Sequence, residues 1–183
     1  TGAQGQVGKE LVSIANQRGF DVIAAGQTEL DITQLKNIES YVEAHQPDLV
    51  INAAAYTAVN KAAEEQDITY AINRDGAANL AAVSKEKNIP LLHISTDYVF
   101  DGNNGPYAED DHTFPVNYYG KTKLEAENML RGMRRRFLIF RPNVLYGEDI
   151  FSKGNFFAWV YKSLLNGKSI SVVTDQISNP VYV

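Results

Sequence analysis

Short apolar runs alternate with longer amphipathic stretches along the chain. Val7, Leu11, Ile14 and Ala15 recur at helical spacing and predict a helix over about 6–18, with Gly19 placed as a residue just past its end. Asp21-Val22-Ile23-Ala24-Ala25-Gly26 reads as a buried strand. Leu35, Ile38, Val42 and His45 mark a second helix, and Pro47 introduces the strand Leu49-Val50-Ile51. A helical stretch from about Lys61 to Lys87 is expected to loosen around Asn73 to Gly76. Leu91-Leu92-His93-Ile94 is an apolar strand after Pro90, and 96–116, with Gly102, Gly105, Pro106 and Pro115, reads as a long loop. Asn117 suits the N-cap of a helix ending near Gly132. Phe137-Leu138-Ile139-Phe140 is a strand, 154–166 a helix and Ile170-Ser171-Val172-Val173 a last strand. Strands that are apolar throughout are expected to be buried on both faces, and their alternation with helices implies right-handed crossovers and a parallel sheet. The fold class is therefore α/β, a doubly wound parallel sheet, with residues 1–183 as one domain. A loop of about twenty residues inside such a domain is more often functional than incidental. Both ends read as cut from a longer protein: Thr1-Gly2 already lies in a turn, and Asn179-Pro180-Val181-Tyr182-Val183 is an extended apolar segment. The expectation is a domain lacking its first strand and a C-terminal substrate-binding portion.

Composition narrows the function classes. Of 183 residues, 44% are hydrophobic and 21% charged, as in an ordinary globular domain. A net charge of -5 disfavours nucleic acid and anionic membranes as partners. Cysteine is absent, which excludes disulfides and thiolate metal sites. No apolar run approaches the roughly 20 residues of a membrane helix.

Two motifs carry chemistry. Gly2-Ala3-Gln4-Gly5-Gln6-Val7-Gly8 sets three glycines at a spacing of three ahead of an amphipathic helix. Such a turn lets a pyrophosphate approach the backbone and the free N–H groups of the helix start. It departs from the G-x-G-x-x-G spacing, and a plain glycine-rich βα turn would look the same. Tyr119 and Lys123, in Tyr119-Gly120-Lys121-Thr122-Lys123, stand at i and i+4 on one helix face. A nearby ammonium is expected to lower the phenol pKa, and a phenol so tuned can act as general acid toward a carbonyl receiving hydride. A surface Tyr/Lys pair is the bland alternative. Tyr118 faces Thr122 instead and lacks the cation.

Together with Leu30-Asp31-Ile32-Thr33, Asn52-Ala53-Ala54-Ala55-Tyr56-Thr57-Ala58-Val59, Ser95-Thr96-Asp97-Tyr98-Val99-Phe100 and Asp175-Gln176, these segments make the chain resemble the extended short-chain dehydrogenases. The dTDP-4-dehydrorhamnose reductase branch is the most similar, over nearly the whole length. The resemblance implies a Rossmann-like domain and reduction of a 4-keto sugar nucleotide. Tyr119 is then proton donor, Lys123 tunes it and holds the nicotinamide ribose, and Thr96 orients the carbonyl, unless Thr96 is only a turn or cap residue. Gly2, Gly5, Gln6, Val7, Gly8, Asp31, Ile32, Ala53, Ala54, Ala55 and Thr57 are the implied cofactor contacts, together with Tyr119 and Lys123. Asp31 could instead cap the helix that follows. Thr96, Asp97, Tyr98 and Val144 are the implied substrate contacts, and Tyr98 could equally be a core aromatic. The second strand is expected to end Ala25-Gly26-Gln27 with neither carboxylate nor arginine, so the expected cofactor is NADPH, with NADH as second choice. The family often has tryptophan at Val144, His at Tyr56 and Asp at Asn60, and Glu10 alone matches a metal-ligand position of some members; no metal is expected.

The remaining expectations are a cytoplasmic enzyme of polysaccharide synthesis and a homodimer. The alternatives are another sugar-nucleotide epimerase or dehydratase, or a non-catalytic regulatory subunit of methionine adenosyltransferase type. His45, His93 and His112 fall on separate elements and are not expected to bind metal. Glu109-Asp110-Asp111 reads as a solvated loop. Arg131, Arg134, Arg135 and Arg136 complement a helix C-terminus. Phe156, Phe157, Trp159 and Tyr161 read as helix packing or a dimer surface.

Overall fold

Three strands carry the first part of the chain: β1 (Val50–Asn52), β2 (Leu91–Ile94) and β3 (Phe137–Phe140). They pair in the order β1-β2-β3, parallel throughout, with Asn52 opposite His93 and His93 opposite Ile139. The computed structural model describes residues 1–133, 136–147 and 156–183, in two units, Thr1–Arg141 and Pro142–Val183. The first unit also holds α1 (Gln6–Gln17), α2 (Leu35–His45), α3 (Gln66–Tyr70), α4 (Ala77–Glu86) and α5 (Tyr118–Gly132). Its core joins Ile38 and Val42 of α2, Leu80, Ala81 and Val83 of α4, Val50, Leu91 and the α5 residues Ala126 and Leu130. Of the positions whose spacing marks a helix, Ile38 and Val42 of α2 are buried in this core, whereas Ile14 and Leu35 are exposed.

The expected loosening near Asn73 is a π-helical turn, Ala71–Gly76, set between α3 and α4. Gly76 lies against the buried Ile32, where a Cβ would come within 2.6 Å of Ile32 Cδ1. Asn117 caps α5 as expected, accepting a hydrogen bond from Gly120 N–H at 2.7 Å.

Two expected strands do not form. Residues 21–26 make no ladder; the backbone bonds recorded there run from Ala3 N–H to Ala25 O and from Leu30 N–H to Gly26 O, and Ile23 is exposed. Its neighbour, Thr1–Ala3, is also tied to the other side, Thr1 donating to Ile51 O and accepting from Ala53 N–H. Residues 170–173 are likewise unpaired, with Val172 and Val173 exposed. In the second unit the pair is β4 (Leu145–Tyr146) and β5 (Val181–Tyr182), parallel, with α6 (Phe156–Leu165) between them in sequence. The expected burial of every strand on both faces also fails at β3, where Leu138 and Phe140 are half exposed. Part of the expected helix 154–166, as well as Arg134 and Arg135, lies outside the described residues. Phe156, Phe157, Trp159 and Tyr161 are all substantially exposed on α6.

Glycine decides two close approaches differently. A Cβ at Gly120 would sit 2.2 Å from Tyr98 O, whereas one at Gly132 would meet nothing within 4 Å. Gly120→Ala is expected to cost about 1–3 kcal/mol through forced displacement of backbone. Gly132→Ala is expected to stabilise by about 0.4–1 kcal/mol, because it removes unfolded-state freedom at no steric cost. Urea denaturation of the two variants checks both signs.

Candidate active site

The glycine turn is built by close packing. Gly2 has φ +72°, and a Cβ there would lie 2.5 Å from Ala53 C and Ala54 N. A Cβ at Gly8 would lie 2.1 Å from Gly2 O. Turn, α1 and the loop after β1 therefore share one volume that only bare backbone fits. Gly5 N-caps α1 with no side-chain hydrogen bond, and Gly5 N–H itself is used on Gly2 O at 3.0 Å. No side chain caps the start of α1, and Gln6 Nε2 is buried with no partner among the described residues. A cradle free of Cβ atoms, unanswered helix N–H groups and an orphaned amide are what a pyrophosphate-bearing group requires. The residues present fit a dinucleotide.

The loop after β1 is pinned from two sides. Asn52, 1% exposed, accepts Ala54 N–H on Oδ1 at 3.1 Å. Asn73, in the π turn, accepts Tyr56 N–H at 2.8 Å and donates to Tyr56 O at 3.2 Å and Thr122 Oγ1 at 3.1 Å. Since Thr122 lies in α5, one amide joins this loop to the helix of Tyr119 and Lys123. The π turn positions that amide, and such turns recur at functional sites.

Lys123 is 1% exposed. Its amine donates to Ile94 O at 2.6 Å and lies 3.3 Å from His93 Nε2. Burial pushes the ammonium down to about 8, with Glu127 pulling the other way. His93, also 1% exposed, faces Asn52 Nδ2 through Nδ1 at 3.1 Å. Burial, then the nearby Lys123 charge, holds this imidazole well below its usual value.

The expected lowering of the Tyr119 pKa does not hold. Tyr119 is 8% exposed, and burial pushes its phenol up to about 12; a hydrogen bond with Thr96 acts downward, and the charge of Asp97 and Tyr98 upward. The Lys123 amine is engaged with Ile94 and His93, and desolvation outweighs any pull from it. Tyr98 stacks edge-on against Tyr119, with ring centres 5.8 Å apart, so it borders the phenol.

Thr96 has the cap role that was the alternative expected of it, and it also lies next to Tyr119. It caps the short 3₁₀ turn Asp97–Val99 by accepting Tyr98 N–H at 3.2 Å, and it stands beside Tyr119 at the end of β2. Its hydroxyl donates to Asp97 Oδ1 at 3.1 Å, and burial raises the Asp97 pKa despite that bond. Asp31 does not cap α2, whose N-cap is Gln34. It accepts Thr33 N–H and Oγ1–H in a local turn, at 2.9 and 2.7 Å. Ile32 is buried in the core, its carbonyl held by Asn79. Ala53, Ala54 and Ala55 line the loop beside Gly2, and Thr57 is exposed. Val144 belongs to the second unit, where its carbonyl accepts Val181 N–H at 2.9 Å.

Sequence reasoning missed the residues that hold this set in place. Glu127, wholly buried, receives Ser95 Oγ–H at 2.6 Å and two hydrogen bonds from Arg141, Nε at 2.9 Å and Nη2 at 2.7 Å. Arg131 adds a further contact at 3.0 Å. Arg141 also donates to Glu109 O and lies 5.1 Å from the Phe100 ring centre, so it anchors the 96–116 loop. Glu127 follows Lys123 as Lys123 follows Tyr119, by four residues, and extending that spacing one step would have found it.

Burial alone would raise the Glu127 carboxyl, but hydrogen bonds from Arg141 and Ser95 and the two guanidinium charges bring it below its usual value. Its stabilising contribution is therefore complete above the ordinary glutamate pKa of about 4.3 and fades as pH falls through the lower folded value. Glu127→Gln is expected to cost about 3 kcal/mol at neutral pH and to flatten the acid-side decline. Urea midpoints measured from neutral pH downward would show both.

The family described as RmlD substrate binding domain matches residues 1–183. A dTDP-4-dehydrorhamnose reductase of Aggregatibacter actinomycetemcomitans is 38% identical over all of this chain and 62% of its own length. The spore coat polysaccharide biosynthesis protein SpsK of Bacillus subtilis is 37% identical over all of this chain and 64% of its own. Among solved structures, a dTDP-4-dehydrorhamnose reductase from Bacillus anthracis in complex with NADP superposes with a TM-score of 0.93. It is 36% identical, over 99% of this chain and 64% of that one. The chain thus spans somewhat under two thirds of these relatives, and the shared fold is the doubly wound, Rossmann-like one.

Proposed function

The chain belongs to the RmlD substrate binding domain family, and from that premise we propose that it carries the cofactor and proton-donor machinery of an NADPH-dependent reductase of a 4-keto sugar nucleotide, dTDP-4-dehydrorhamnose. The observation that carries the reading is the buried grouping of Tyr119, Lys123 and Thr96 at the end of β2, in the same unit as a glycine cradle fitted to a dinucleotide. NADPH supplies the hydride when bound.

The chain's own residues have separate tasks. Gly2, Gly5 and Gly8 keep side chains away from the pyrophosphate, and the first N–H groups of α1, from Gln6 and Val7, meet its charge. Gln6 Nε2 is the buried donor left for a ligand acceptor. Ala53, Ala54 and Ala55 let the same ligand lie along the loop after β1, and Asp31 and Thr57 flank it. Lys123 Nζ is the group held ready for the nicotinamide ribose.

Tyr119 protonates the ketone oxygen as the carbonyl carbon takes up hydride. A phenol held near 12 carries its proton throughout the neutral range, so it enters the reaction in the form a general acid needs. Thr96 orients the carbonyl, while Asp97 and Tyr98 border the sugar.

The bacterial relatives named for this reaction and the NADP bound to one of them support the substrate and cofactor. Ala25-Gly26-Gln27 itself holds neither a carboxylate nor an arginine, but the structure brings the Glu29 carboxylate onto this turn, where it accepts Gly26 N–H at 2.8 Å, so the preference for NADPH rests on the NADP-bound relative and not on this segment.

Tyr119→Phe is expected to lower turnover of dTDP-4-dehydrorhamnose by about 10²–10⁴ while leaving NADPH affinity within about twofold. NADPH consumption and fluorescence titration measure the two quantities. Near-normal turnover in the variant would reject the assignment, and absence of turnover in the full-length wild type would favour a non-catalytic role.

A further inference from the structure

The loop that follows β2 is long and has little of its own to order it. From 102 to 112 only Tyr107 is not exposed. A stretch that buries so little apolar surface must be ordered by its neighbours. Its outgoing end is fixed on α5: the 3₁₀ turn Asp97–Val99 lies against Gly120, where a Cβ would sit 2.2 Å from Tyr98 O, and Val99 is fully buried. Its returning end is fixed on Arg141. Nη1 donates to Glu109 O at 3.1 Å, in a turn closed by Asp111, which accepts Ala108 N–H at 2.7 Å. The guanidinium carbon lies 5.1 Å from the centre of the Phe100 ring, and Phe100 stacks on Tyr107 with ring centres 4.3 Å apart. Tyr107 holds the tip, its hydroxyl donating to Asp101 and accepting Asn104 N–H at 3.0 Å.

The same guanidinium has a second set of contacts. Nε and Nη2 donate to the two oxygens of the buried Glu127 carboxylate, at 2.9 and 2.7 Å. Ser95, which also donates to that carboxylate, is the residue before Thr96, and its N–H bonds Phe140 O, the residue before Arg141, at 2.6 Å. Charge alone does not call for arginine here. A lysine would supply it, and Arg131 already lies 3.0 Å from Glu127. A guanidinium alone offers paired donors for both oxygens, a further donor on another nitrogen and a flat face for a ring. The paired donors serve α5, and the remaining donor and the face serve the loop.

We propose that Arg141 is a positioning residue: it clamps the 97–111 loop to the buried Glu127 carboxylate, so the helix that presents Tyr119 and Lys123 also sets the sugar side of the site. Its effect on catalysis rests on the reductase reading, in which Asp97 and Tyr98 of this loop border the sugar. Arg141 acts through the loop and through Glu127, not on the reacting atoms. Thr96 and Lys123 keep hydrogen bonds of their own, to Tyr98 N–H and Ile94 O. Loss of the clamp therefore weakens capture of the sugar nucleotide more than the chemical step.

The test uses two variants of the full-length protein. Arg141→Lys keeps a cation beside Glu127 but lacks the fork and the flat face. Phe100→Leu removes the ring and leaves the Arg141–Glu127 pair whole. In each, KM for dTDP-4-dehydrorhamnose is expected to rise about tenfold, with kcat within about threefold and NADPH affinity within about twofold of wild type. Hydrogen exchange read by mass spectrometry should speed up across 97–111 while α5 keeps its protection. An unchanged KM in a folded variant would overturn the proposal and leave Arg141 as a stabilising ion-pair partner only. Equal losses of kcat, KM and cofactor affinity would overturn it too, as general damage to the fold. Should Arg141→Lys not fold, Phe100→Leu decides alone. The exchange readout needs neither cofactor nor substrate: an inactive wild type defeats the reductase reading, and unchanged exchange across 97–111 defeats the clamp.

Discussion

An amine with no water around it must find all its partners in the protein, and the surroundings of Lys123 are arranged around that demand. A strand carbonyl, Ile94 O, and an imidazole, His93, take the two directions recorded for Nζ. A carboxylate one helical turn away, Glu127, supplies charge of opposite sign, and Arg141 keeps that carboxylate ionised. Ile94 and His93 both come from β2, Glu127 from the same helix α5, and Arg141 from the residue that follows β3. Folding the sheet and satisfying the amine are therefore the same event. This is why the end of the sheet is polar and yet almost fully buried.

The same economy governs the loop after β1. Asn52 and Asn73 satisfy Ala54 and Tyr56 with side-chain amides, where a strand or helix would have used backbone. The loop is irregular but its hydrogen bonds are not left to water. Through Thr122 and His93 both amides lead to α5, so the glycine cradle and the Tyr119 face of that helix are parts of one hydrogen-bonded body.

Helices α1, α2 and α5 and strand β2 could be read from the residues alone because each carries its own repeat, cap or bounding proline, and β3 showed as a short apolar run. The segments 21–26 and 170–173 could not, because being a strand depends on a neighbour, and apolar composition says nothing of one. Tyr119 and Lys123 were visible as a spacing, but the direction of the Tyr119 shift was not, since it follows from how little solvent reaches the phenol. Asn52, His93 and Asn73 escaped for a plainer reason. Asn52 lies 41 positions before His93, and Asn73 lies 49 before Thr122, distances over which no local pattern extends. The family resemblance carried the motif residues, while the network that supports them had to come from coordinates.

The π turn Ala71–Gly76 has a bearing on how this segment can change over evolutionary time. A π turn accommodates one residue more than the α-helix it interrupts, so losing one position would restore a regular helix without breaking it. The cost would be rotational: everything on one side would swing by about 100° relative to the other, the angle per residue of an α-helix. Asn73 would leave Tyr56 and Thr122, or Leu80 and Val83 would leave the core. A change of length here cannot be absorbed, and insertions or deletions in descendants of this chain should be found on either side of 71–76 and not within it.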